Sequence, residues 1–461
     1  MKNLQKFFFT AGLVIVAACL TLTSCTKEGP QGAQGVAGPV GPKGDNGKDA
    51  TEACKQCHAK AVVDAIATEF EMSKHNWGTT AFEEAGNTGC TPCHAQKAFI
   101  YVCENNTPVE FTQDATTKKW SNPYATNNAN AIGAISCFTC HSQLHTTYGT
   151  ADLTLTNTAP VNMTMWGAPG KGQTINFAQD GGKGNLCVKC HQPRPLTCGN
   201  DPAGRVLDYD SVAQYPAVVM YDSAAGAKNK YLRPSYRMHI HYGAVGAVVA
   251  GKGAIEFAGT FVYENSKHTT VASCQECHMA GPMTGIAGGH SFNVRNAKES
   301  ALSSSTTWNF NGCNVAGCHD GTAAAGPLDA NAALFKNTRT EVKTLLDQLA
   351  TKINACGLGH DILHKDATTS NLWAGVATGN QDGYLDIYSA GTNDAGYWRD
   401  PYNTSATNMA KPKFPKLTFG QTGAIINFQF CLREYSLGIH NTKYVKALLN
   451  NSIAVLAAQG W

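Results

Sequence analysis

The chain has 461 residues, room for one large or two ordinary domains, and carries 36 Lys+Arg against 33 Asp+Glu. That near balance leaves no excess positive charge for a nucleic-acid surface or a polybasic membrane footprint. The outlying figures are 18 cysteines and 15 histidines, and cysteine at this level in a long chain requires an oxidising compartment or a role with a cofactor or metal.

At the N-terminus, Lys2 and Lys6 precede an apolar run from Phe7 to Leu22. The run is short for a membrane span and has the layout of an export signal. Leu22-Thr23-Ser24-Cys25 is similar to the bacterial lipobox, which implies a signal peptide over residues 1–24 and acylation of Cys25. An uncleaved membrane anchor is the alternative. Thr26, rather than Asp, follows Cys25; under the enterobacterial sorting rule this implies the outer membrane or cell surface, with the periplasmic side as the alternative.

Residues 25–50 continue as a repeat of period three, with Gly29, Gly32, Gly35, Gly38, Gly41, Gly44 and Gly47 evenly spaced and Pro30, Pro39 and Pro42 among them. This is the Gly-X-Y pattern of collagen, in which only glycine fits at the triple-helix axis. Two readings stay open, an extended tether of roughly 60 Å in polyproline II form and a stalk that gathers the chain into a trimer or filament.

Residues 51–320 are rich in Gly, Asn, Thr and Pro and are punctuated by cysteines. Short helices joined by long loops are expected, the fold class being mainly α with extensive irregular loops. Loops of that length argue against a compact fold unless something else fills the core. Residues 321–461 differ. Asn331 to Ile353 has apolar residues at helical spacing with Gly357 as a stop, and Thr442 to Gln459 predicts a second helix. Gly375 to Phe419, rich in Asn, Asp, Gly and Tyr, reads as a surface excursion. The expected architecture is a C-terminal helical segment laid against the cysteine-rich region.

Five copies of Cys-x-x-Cys-His carry the chemistry. The first is Cys54, Cys57 and His58, and the others are Cys90/Cys93/His94, Cys137/Cys140/His141, Cys187/Cys190/His191 and Cys274/Cys277/His278. Two thiols at this spacing reach the two vinyl groups on one edge of a haem, and the following histidine then points at the iron. A redox dithiol or half a zinc site explains one copy, not five with the histidine each time. A sixth, looser site is Cys313-Asn-Val-Ala-Gly-Cys318-His319, where a bulged loop keeps the thiols in position; a disulfide beside an unrelated histidine is the alternative. Six c-type haems are therefore expected, organised as a multihaem cytochrome c fold around packed haems. Six haems would add about twelve propionates and leave the holoprotein acidic. Cys103, Cys198, Cys356 and Cys431 are left over, enough for two disulfides, with reactive thiols as the alternative.

Nine histidines lie outside these motifs: His75, His145, His239, His241, His268, His290, His360, His364 and His440. Six are needed if every iron is held by two histidines, and with nine methionines a Met ligand at a site or two is an alternative. On one helical turn His141 and His145 would share a face, so they cannot flank the same porphyrin.

Two stretches carry a family resemblance. One runs from Arg233 to His290 and includes Met238-His239-Ile240-His241-Tyr242-Gly243, Ser266-Lys267-His268, Cys274-Gln275-Glu276-Cys277-His278-Met279 and Gly288-Gly289-His290. The other is Gly438-Ile439-His440-Asn441-Thr442-Lys443-Tyr444. Both resemble segments of the pentahaem nitrite reductase and octahaem tetrathionate reductase superfamily. The resemblance implies that His241, His268, His290 and His440 are distal ligands; His75 and His145 complete the set on position and context. Those reductases carry a catalytic haem on Cys-x-x-Cys-Lys, and no such motif occurs here. The expected function is therefore extracytoplasmic electron transfer between a redox donor and an acceptor, protein or extracellular, with a membrane attachment through Cys25 and no catalytic residue assigned. The alternative is a reductase of nitrite, hydroxylamine or sulfur oxyanions at one open iron, with Arg237, His239, His241 and Lys267 around a bound anion.

Overall fold

In the computed structural model, the described residues are 59–77, 90–104, 112–113, 120–121, 133–163, 173–193, 196, 207–224, 233–236, 238–241, 243–283, 287–295, 307–321, 327–365, 381–390 and 396–461. The signal segment, Cys25, the Gly-X-Y triplets, the first attachment motif (Cys54, Cys57 and His58), Cys198 and Arg237 lie outside them. The described chain is helix-rich with long loops. Its helices of six residues or more are α1 (Lys60–Glu71), α2 (Gln96–Glu104), α3 (Lys183–Val188), α4 (Tyr209–Gln214), α5 (Val245–Ala250), α6 (Ala333–Ala355), α7 (Phe419–Leu432) and α8 (Thr442–Ala458). Strands among the described residues form only two-stranded antiparallel pairs, for example Val161–Met163 with Gln173–Ile175 and Leu363–Lys365 with Gln381–Leu385.

The C-terminal helices pack on one another within the main hydrophobic core. The expected helices at Asn331–Ile353 and Thr442–Gln459 are present as α6 and α8, with ends shifted by up to two residues. On α6, Phe335, Val342, Leu346, Leu349 and Ile353 are buried on one stripe, as a period of 3.6 requires. Between α6 and α8 packs α7, which sequence periodicity does not reveal. All of its residues are buried, so it has no polar face to create a period. Its Thr418 cap and Gln421 exchange backbone and side-chain bonds in a capping box.

Most polar side-chain atoms inside α7 are bonded, as burial demands, the exception being Gln429 Oε1. Asn427 accepts from Ile255 N at 2.9 Å and donates to Ile255 O at 2.7 Å and Ser452 Oγ at 2.9 Å. Gln429 Nε2 donates to Met238 O and Gly383 O at 2.9 and 2.7 Å. These bonds splice α7 to segments far away in sequence. The same hydrophobic core holds Met163, Val188, Ile240 and Phe257 together with Leu346, Ile426 and Leu448.

The described parts of residues 375–419 do not form a surface excursion. Leu385, Ile387, Phe414 and Leu417 are fully buried, and Trp398 nearly so. The polar residues that suggested a loop instead tie it down: Asp386 accepts from Tyr397 N through Oδ1 and pairs with His360 Nε2 at 2.6 Å through Oδ2.

Asn427→Ala would leave the Ile255 N–H buried without a partner and strip one of the two hydrogen bonds from the Ile255 carbonyl, which keeps Phe257 N, destabilising the protein by about 2 kcal/mol. The expected result is a lower guanidinium midpoint in far-UV circular dichroism with an unchanged slope.

Candidate haem-attachment sites

Each described attachment motif folds as a single tight turn that returns its histidine to its first cysteine. The His N–H donates to the cysteine carbonyl at 3.0 Å for His94 and Cys90, 2.9 Å for His141 and Cys137, and 2.9 Å for His191 and Cys187. Of the expected attachment residues, Cys54, Cys57 and His58 alone fall outside the described residues, so this turn is established for the later motifs only. Serine caps two of the turns. Ser136 with Thr139, and Ser273 with Glu276, form capping boxes ahead of Cys137 and Cys274. The longer sixth motif closes in the same way, with His319 N donating to Cys313 O at 3.0 Å. The extra residues are absorbed by a bulge at Gly317, whose φ of 81° lies in the left-handed region that glycine enters without strain.

The attachment histidines face histidines from elsewhere in the chain. Ring centroids are 6.2 Å apart for His94 and His241, 6.1 Å for His191 and His75, 6.2 Å for His278 and His440, and 6.4 Å for His319 and His268. His290 lies close enough to His141 that the neighbouring ring, after burial, lowers its pKa. Two imidazoles bound on opposite sides of one metal ion, each through a bond of about 2.0 Å, would have centroids about 6.3 Å apart. The four measured pairs lie at that separation. Among the described residues no group of three or more His, Cys, Asp or Glu converges on one point.

In five of these rings the second nitrogen is tied up, whereas Nδ1 of His319 is buried with no hydrogen-bond partner. Nδ1 of His141 lies 3.1 Å from Leu153 O, of His191 3.1 Å from Gly243 O, of His268 3.0 Å from Ile439 O and of His278 2.8 Å from Phe292 O. His440 Nδ1 lies 2.6 Å from Glu434 Oε2. A proton held on Nδ1 leaves the Nε2 lone pair bare, as in metal-ligating histidines. Burial, then neighbouring imidazoles, pushes His75 and His278 down to about 4, so they are neutral at pH 7, the form that binds metal.

Local elements deliver the partners. Just after α1 comes His75, and α1 also places Glu69, whose carboxylate accepts from His290 N at 2.8 Å. Gly246 on α5 lies so close to α3 that a side chain there would run into Val188 and the His191 carbonyl. Asn441, at the start of α8, donates to Val248 O at 3.1 Å and accepts from Ser266 N at 2.9 Å, fixing His440 and the His268 segment together. Neighbouring motifs meet at their thiols: Cys93 and Cys190, Cys187 and Cys274, and Cys277 and Cys313 lie side by side.

His141 and His145 do not share a helical turn. The helix at Cys137–Cys140 ends before His141, and His145 has left-handed backbone with φ 65°. His145 sits between Phe138 and Tyr148, its ring stacked on the tyrosine. The three histidines outside the expected set brace the fold. His239 Nδ1 accepts from His241 N at 3.0 Å and so supports the left-handed φ of 86° at His241. His360 spends its Nε2 on Asp386 and stacks on Tyr397, and His364 is buried edge-on to Tyr236. The block suggested for anion binding is divided, since His241 faces His94 while Lys267 precedes His268 at His319.

The expected pair of disulfides is not formed. Cys103, Cys356 and Cys431 are free buried thiols, and Cys198 is outside the described residues. Burial raises all three, Cys103 to about 12 and Cys356 to about 11, which makes them packing residues rather than nucleophiles. No protein-family model matches this chain, and neither a curated protein nor a solved structure matches it.

Cys103, Cys356 and Cys431 are expected to react with Ellman's reagent only after denaturation without reductant. Labelling of the native protein, or a requirement for reductant, would show that they are exposed or bridged.

Proposed function

We propose that the chain is an extracytoplasmic electron-transfer protein, a multihaem cytochrome with six covalently attached c-type haems, each iron ligated by two histidines. The observation that carries this reading is the repeated facing of an attachment histidine and a remote one at 6.1–6.4 Å, with Nδ1 turned to an acceptor in five of the attachment or partner rings named above. On this reading the pairs are His94/His241, His141/His290, His191/His75, His278/His440 and His319/His268. The haem on Cys54 and Cys57 completes the six, with His58 and His145 left for each other by elimination. Bound in this way, each haem supplies a one-electron ferric/ferrous couple.

The chain's own contribution would be to hold each group between two histidines and to bring neighbouring attachment motifs together at their thiols. The thiol contacts link the second motif to the fourth, the fourth to the fifth and the fifth to the sixth, a spacing suited to passing electrons along a row. Two axial imidazoles leave no open position for nitrite or another substrate, which favours conduction over reduction chemistry. The resemblance of Arg233–His290 and Gly438–Tyr444 to multihaem reductases supports the same ligand set without a lysine-ligated catalytic haem. Export, the Cys25 anchor and the Gly-X-Y tether belong to this proposal, carrying the haem row outward from a membrane towards its acceptor.

Purified holoprotein should contain six haems by the pyridine haemochrome assay and be low-spin in both redox states. Nitrite, hydroxylamine and carbon monoxide should leave its spectra unchanged. His268→Ala should create one high-spin iron, whereas His360→Ala should create none. A high-spin fraction in the unaltered protein would overturn the conduit reading, and five haems would remove Cys313/Cys318/His319 from the set.

A further inference from the structure

The His278–His440 pair stands apart from the other facing imidazoles. Its rings are 19° from parallel, whereas the other three centroid pairs are inclined by 66°, 67° and 69°. Its Nδ1 contacts also differ. His278 turns to a backbone carbonyl, as His141, His191 and His268 do, but His440 turns to the carboxylate of Glu434 at 2.6 Å.

Glu434 is fully buried. Burial alone would raise its carboxyl, but hydrogen bonds from His440, Ser436 and Gly438 outweigh it and hold the group below its ordinary range. Ser436 Oγ donates to Oε2 at 2.5 Å and Gly438 N donates to Oε1 at 2.7 Å. The tight turn between α7 and α8 thus wraps one anion, and the anion's side-chain partner towards the candidate site is the Nδ1–H of His440. A buried carboxylate in such a bond draws the proton off Nδ1 and returns electron density to Nε2, the nitrogen that would meet the metal. A more basic ligand stabilises ferric over ferrous iron.

We propose that Glu434 is a positioning and tuning residue that makes the His278/His440 haem the one of lowest potential in the row. This rests on the two-histidine ligation proposed above. The ring angle supplies the means to tell that haem from those of His94/His241, His191/His75 and His319/His268. Near-parallel imidazole planes split the iron d-orbitals and give a rhombic low-spin signal, while steeply inclined planes leave them nearly degenerate and give a highly anisotropic one.

The test is a potentiometric titration of the holoprotein followed by electron paramagnetic resonance. In the unaltered protein the rhombic signal should be the last to disappear on reduction. Glu434→Gln keeps the shape but removes the charge. It should shift that signal's equilibrium at least tenfold towards the reduced form, about 59 mV for one electron, and leave the anisotropic signals in place. Ser436→Ala removes a competing donor from the same carboxylate and should move the rhombic signal in the opposite direction. A purely structural role would move both variants the same way, or move every haem. The proposal is overturned if both variants retain low-spin haem and the rhombic signal titrates as in the parent. It is also overturned if the rhombic signal of the parent is not the last to be reduced. Absence of any rhombic low-spin signal in the parent, with high-spin iron in its place, would instead mark failure of the ligation reading. If Glu434→Gln yields no folded protein, the direction of the Ser436→Ala shift alone decides.

Discussion

An imidazole has two nitrogens, and fixing the proton on one decides what the other can do. In this protein the fixing groups are backbone carbonyls of Leu153, Gly243, Phe292 and Ile439 and the carboxylate of Glu434. Three of these acceptors sit in turns next to other facing histidines. Gly243 follows His241 by two residues, Phe292 follows His290 by two, and Ile439 precedes His440. The ring of one pair is therefore aimed by the backbone that carries a ring of another. The candidate haem row and the loop framework are two descriptions of one set of hydrogen bonds.

That framework needs something stiff to lean on, and α7 provides it. A helix buried on every side needs partners for its polar groups, and the amide nitrogens of Asn427 and Gln429 find them in backbone carbonyls of Ile255, Met238 and Gly383. The segments so clamped lead into the His239–His241 turn and the strand beside the Arg433–His440 turn. Packing in the C-terminal helices thus reaches the candidate site through a few side-chain amides rather than through a broad apolar surface.

Much of the chemistry is legible in the chain because Cys-x-x-Cys-His is a local pattern whose geometry is set within one turn. The bulged Cys313–His319 site is legible for the same reason, its glycine allowing the same closing bond. The amphipathic helices α6 and α8 show in their periodicity, whereas α7 does not, because uniform burial erases the period and its two glycines and an asparagine look like a loop. The stretch ending at Phe419 misleads on composition: Asp386 is bonded to His360 and to Tyr397 N, a matter of partners and not of residue type. Leftover thiols suggest bridges, yet hydrophobic burial uses cysteine equally well. Which remote histidine faces which motif is a question of tertiary contact, and no local spacing contains it.

Under the proposed haem ligation, the facing histidines would also set the timetable of maturation. His75 must wait for a motif far downstream, and His278 must wait for a partner in the last turn before α8. On that proposal thioether attachment could proceed motif by motif as the chain emerges, but the histidine pairs would close only when distant segments meet, and contacts of such long sequence separation form late. During export the half-made protein would therefore carry tethered groups with vacant coordination sites. The arrival of the C-terminus, which brings α8, Asn441 and His440 together, would be the event that quenches their reactivity.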